Sequence, residues 1–88
     1  MKTKQITYRQ TEVELISQLS QFIGQNPHHL GDGIVNWEIG MEGEGIFINF
    51  EEKEIGFVDC NIDTKTYFSI VGYGTCMGYK IEDYFIEK

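Results

Sequence analysis

Eighty-eight residues suffice for one hydrophobic core and not for two, so a single domain over 1–88 is expected. The 41% hydrophobic and 24% charged content, with 12 aromatics and one proline, excludes a disordered or low-complexity chain. Seven Lys and Arg against fourteen Asp and Glu leave a net charge of -7, which repels nucleic acid and anionic lipid and excludes direct binding to either.

In chain order, residues 2–9 alternate loosely and read as an edge strand or the lead-in to a helix. Thr11 and Glu14 form a capping-box pair, and Val13, Leu15, Ile16, Leu19, Phe22 and Ile23 recur at spacings of three and four. This predicts an amphipathic helix that stops at Gly24, with Asn26-Pro27 beyond it. After a loop over 28–33 the period changes to two. Strands are predicted over 34–39, with Val35, Trp37 and Ile39 on one face, and over 45–50, with Ile46, Ile48 and Phe50 together. Gly40, Gly43 and Gly45 supply the turn between them. Further strands are expected over 55–60, 66–71 and 79–86, the last against a competing helical spacing of Ile81, Tyr84 and Phe85. Consecutive strands usually neighbour one another. The fold class is therefore α+β, one N-terminal amphipathic helix packed on an antiparallel β-meander of four to five strands.

No apolar run approaches the roughly 18 to 20 residues of a membrane span, and no apolar stretch follows Lys2 and Lys4 as a signal peptide requires. Cys60 and Cys76 are too sparse for a disulfide framework and read as reduced, buried thiols, which with the missing signal points to the cytoplasm.

The charge is uneven. Residues 31–63 hold Asp32, Glu38, Glu42, Glu44, Glu51, Glu52, Glu54, Asp59 and Asp63 against Lys53 alone, a local net of -8. A meander puts Glu42, Glu44 and Asp63 at one end of the sheet and Glu51, Glu52 and Glu54 at the other, a strand length of about 17 to 20 Å apart. Half of the aromatics follow residue 66, with Phe68, Ile70 and Phe85 expected in the core and Tyr67, Tyr73 and Tyr79 supplying interface anchors. The plain alternative is a solubilising surface over an aromatic core.

Catalytic patterns are weak. His28 and His29 with Asp32 lack a third ligand at a recognised spacing, and neighbouring loop side chains converge poorly on one ion. Gly72, Gly74 and Gly78 follow neither a P-loop nor a dinucleotide pattern and read as a wide turn. No cofactor, metal or catalytic residue is assigned. The expected function is a non-enzymatic binding domain occupying a basic surface of a partner protein, as a DNA-mimicking inhibitor or a toxin-neutralising immunity protein does. Its binding residues would be Glu38, Glu42, Glu44, Glu51, Glu52, Glu54, Asp59, Asp63, Tyr67, Tyr73 and Tyr79. The alternatives are a small-ligand-binding or metal-dependent enzymatic domain using the loop from His28 to Asp32, and a homodimer pairing strand edges within a larger assembly.

Overall fold

The computed structural model describes residues 9–31, 33–40, 44–60 and 62–84. The expected lead-in strand over 2–9, except Arg9, lies outside them, as do Asp32, Glu42 and Phe85. The chain runs α1 (Gln10–Ile23), β1 (His28–Gly31), β2 (Ile34–Glu38), β3 (Gly45–Asn49), β4 (Glu54–Val58), α2 (Thr64–Cys76) and β5 (Lys80–Tyr84). The five strands form one sheet in sequence order. β1 to β4 pair antiparallel, and β5 lies parallel to β4 because α2 carries the chain back across the sheet. The fold is α+β, with an N-terminal helix on a meander-like sheet and a second helix that the sequence pattern did not reveal.

α1 forms because its apolar residues recur at helical spacing, with Leu15 and Leu19 fully buried and Ile16, Phe22 and Ile23 packed beside them. It starts earlier than the Thr11–Glu14 pair implies: Arg9 is the N-cap, and its N–H donates to the Glu12 carboxylate at 2.8 Å. It ends where expected, at Gly24 in the left-handed conformation, φ 85°.

Several expectations fail in the second half, and one in the first. The segment 66–71, expected as a strand, is the core of α2: Asp63 caps it by accepting from the Thr66 N–H at 3.0 Å, and Tyr67, Ile70, Val71 and Gly74 recur at helical spacing toward the sheet. Phe68, one position round the helix from Tyr67, therefore points outward and is 63% exposed instead of core. The glycine-rich turn expected over 72–78 is the last half of this helix and its exit. Gly74 is there for close packing, since a Cβ on it would lie 2.4 Å from Ile55 Cδ1. The loop expected over 28–33 is in its first part a strand, because His28–Gly31 pairs with β2 at the sheet edge, interrupted by a register shift between His29 and Gly31.

Both helices pack on one face of the sheet. Val35, Trp37, Ile46, Ile48, Ile55 and Phe57 point to that side and share a core with Leu15, Leu19 and Ile70. Each such side chain contributes about 1.5–3 kcal/mol by leaving water. Trp37 is fully buried, and its indole N–H donates to Ser20 Oγ at 3.3 Å, while the Ser20 hydroxyl donates to the Ile16 carbonyl at 2.7 Å. Among the described residues no buried side-chain polar atom lacks a partner.

Candidate functional site

Strand alternation gives the sheet a second face, and no described element covers it. The pairing register lays out its side chains as three rows across the strands. One end row holds Ile34, Asn49, Glu54 and Lys80; the middle row holds Asn36, Phe47, Gly56 and Glu82; the other end row holds Glu38, Gly45, Val58 and Tyr84. The apolar members run diagonally across this grid, from Ile34 through Phe47 to Val58 and Tyr84. Leu30 of β1, 62% exposed, extends the diagonal beyond Ile34 and with it, Asn36, Phe47 and Val58 lines a shallow groove of about 310 Å³.

The diagonal is built on a missing side chain. Phe47 lies across from Gly56, and a Cβ there would come within 2.2 Å of the Phe47 ring, so the ring rests on bare backbone. Its other neighbour is Tyr84, at 5.8 Å between centroids and tilted by 36°. The Tyr84 hydroxyl donates to the Glu54 carboxylate, and this bond above all pushes the phenol up to about 12. The pair thus anchors β5 to β4 on the open face.

Carboxylates occupy both corners off the diagonal. Glu38 stands at one, with Glu44 beside it on the groove wall; Glu54 and Glu82 stand at the other, with Lys80. Glu38 lies 3.8 Å from His28 Nε2, both well exposed. The face therefore combines an apolar centre with a predominantly negative border.

The remaining expected residues are scattered. Glu51 and Glu52 sit exposed in the β3–β4 turn, where the Glu52 N–H donates to the Asn49 side chain at 3.0 Å. Asp59 and Asp63 follow β4 at the opposite end of the sheet, near Glu44, as the meander reading implies. Asp63 is committed to capping α2, accepting also from the Thr66 hydroxyl at 2.6 Å, and these two bonds hold its carboxyl below the usual range. The tyrosines belong to the helix side. Tyr67 packs on Phe57 at 4.7 Å and donates to Asp83 at 3.2 Å, and Tyr73 meets the Phe22 ring at 6.2 Å. Tyr79, expected at the interface, is only 8% exposed and packs edge-on against Phe50, because the chain turns back into the core directly after α2. The aromatics on the open face are instead Phe47 and Tyr84. The second apolar set of the strands, Ile34, Phe47 and Val58, was the signal for it.

Other sites offer less. His28 and His29 are consecutive on β1 and pair with Asn36 and Val35, so their side chains leave opposite faces of the strand. Among the described residues no three His, Cys, Asp or Glu side chains stand together as metal ligands. Cys60 is half-buried, and burial, with the Glu44 charge second, pushes its thiol up to about 11. Cys76, expected buried, is exposed on the last turn of α2. It borders a cavity of about 670 Å³ in which Arg9 and Lys53 are balanced by Glu12 and Glu51. No helix among the described residues is long and apolar enough to cross a membrane. Comparison with protein-family models, curated proteins and solved structures finds no match to this chain.

Proposed function

We propose that this chain is a non-enzymatic, cytoplasmic protein-binding domain that acts by occupying a basic surface of a partner protein, as an inhibitor or neutraliser. The observation that supports this reading is the sheet face that no described element covers, whose apolar diagonal is bordered by Glu38, Glu44, Glu54 and Glu82. A basic nucleic-acid channel or the cationic active site of a toxin has the complementary sign. The negative border steers such a partner into encounter, and the apolar centre supplies contact area once water is expelled. The carboxylates at the two ends of the sheet, Glu51 and Glu52 at one and Asp59 and Asp63 at the other, extend the negative field past the face itself.

The test is capture from a lysate of the chain's own source on immobilised wild-type protein and on a variant carrying Glu38→Gln, Glu54→Gln and Glu82→Gln, with elution in rising salt. A basic nucleic-acid-processing enzyme or toxin is expected on the wild type, released at moderate salt and depleted at least tenfold on the variant. Equal recovery on both, or no basic protein on either, rejects the reading.

A further inference from the structure

The layout of the open face says more about what would cover it. Its apolar residues do not follow one strand; they cross the sheet from Leu30 and Ile34 through Phe47 to Val58 and Tyr84. Strands lie about 4.8 Å apart and rise about 3.3 Å per residue. From Ile34 to Tyr84 the diagonal spans three strand spacings and four residues, about 20 Å in all, which is the length of roughly 13 residues of α-helix. Carboxylates stand on both flanks of this line, Glu38 and Glu44 on one side, Glu54 and Glu82 on the other.

Resting on the proposed function above, we infer that the partner covers this face with a cationic amphipathic helix laid along the diagonal. Its apolar row fills the groove from Leu30 to Val58, and its Lys or Arg residues on either side meet Glu38 and Glu44 on one flank and Glu54 and Glu82 on the other. The register and the charge pattern select this occupant over two others. A second copy of the chain would bring like carboxylates onto one another across a two-fold contact. An extended peptide gains its main-chain hydrogen bonds at a sheet edge and gains none on a face, whereas a helix presents a continuous apolar stripe with charged flanks. A helix here would also complete a three-layer arrangement, since α1 and α2 already cover the opposite face.

The test uses a synthetic 16-residue peptide with leucines at i, i+3, i+4, i+7 spacing flanked by lysines, and a second peptide of identical composition with the leucines redistributed round the helix. Binding to the full chain is followed by calorimetry and by amide shifts in the NMR spectrum. The striped peptide is expected to bind at least tenfold more tightly than its scramble and to shift amides of β2, β3 and β4. Phe47→Ser should weaken it at least tenfold with little change in salt dependence, and Glu38→Gln with Glu54→Gln should flatten the salt dependence. Leu30→Ser, at an exposed position remote from the core, serves as the second probe of the diagonal should Phe47→Ser unfold the chain. Equal binding of the two peptides, salt-dependent and indifferent to Phe47→Ser and Leu30→Ser, would overturn the helix inference and leave the acidic docking reading standing. Failure of both cationic peptides to bind would overturn the two together.

Discussion

Replacing Ser20 by alanine removes the acceptor that, among the described residues, a fully buried indole N–H finds. Trp37 is 0% exposed and its N–H donates to Ser20 Oγ at 3.3 Å. Leaving a buried donor without a partner costs about 1–3 kcal/mol. Two smaller effects oppose that loss. Alanine is the better helix former by up to about 0.5 kcal/mol, and the bond from the Ser20 hydroxyl back to the Ile16 carbonyl is of the kind that slightly destabilises a helix. The net expectation is a loss of about 1–2 kcal/mol, which in a domain of this size lowers Tm by roughly 5–15 °C. Trp37 is the single tryptophan, so urea unfolding followed by its fluorescence measures the change directly. Ser20→Thr, which keeps a hydroxyl, should recover most of the loss. In a Trp37→Phe background, where urea unfolding is followed by far-UV circular dichroism because the fluorophore is gone, Ser20→Ala should cost less than about 0.5 kcal/mol, since no indole remains to be orphaned. A Ser20→Ala protein within about 0.3 kcal/mol of wild type, or an equal cost in both backgrounds, would refute the argument.

Two further outcomes concern titration and access. Because Asp63 is held below its ordinary value by its bonds to Thr66, its cap contribution is present above the unfolded value of 3.8 and is lost as the pH falls through the lower folded value. The stability gap between wild type and Asp63→Ala should therefore stay level from pH 8 to 5 and narrow below about pH 4; a gap that widens on acidification is incompatible with this cap. With its thiol pushed up to about 11, Cys60 is ionised to about one part in a thousand at pH 8. A thiol reagent followed by peptide mass mapping should modify exposed Cys76 at least tenfold faster than Cys60, and equal rates would contradict the assigned burial.

The first helix and strands β2 to β4 were legible because each carries one clear period: 3.6 through Leu15, Leu19 and Phe22, then 2 through Val35 and Trp37, and through Ile46 and Ile48. α2 was not, because two signals conflict within it. Tyr67, Phe68, Ile70 and Val71 are strand-forming types, and Gly72, Gly74 and Gly78 suggest a turn, so local preference outweighed the wider spacing of Tyr67, Ile70 and Gly74. The glycine at 74 that obscured the helix is the residue that lets it approach Ile55. The acidity of the middle segment was plain from the sequence, and the placement of its described turn residues at two ends of the sheet followed from the meander. The open face did not follow. β2, β3 and β4 each have apolar residues on both sides, Ile34 beside Val35, Phe47 beside Ile46, Val58 beside Phe57, and only the docking of two helices decides which set is covered. Tyr79 was misplaced for a related reason, since its burial depends on the chain's re-entry after α2.

The parallel pairing of β4 with β5 also orders events during folding. The hairpins from β2 to β4 close over short loops, whereas β5 reaches β4 only after α2 has crossed the sheet, so its contacts are the slow, non-local ones. Until then β4 is an edge, and its run Ile55-Gly56-Phe57-Val58 presents unpaired backbone flanked by apolar side chains. In that interval the chain can pair with another copy of the same segment, and docking of β5 removes the opportunity. The Tyr84–Glu54 and Tyr67–Asp83 bonds hold β5 against its neighbours, so Tyr84→Phe with Tyr67→Phe is expected to lengthen the time for which β4 is an edge, read as more light scattering than wild type during refolding from urea at equal protein concentration.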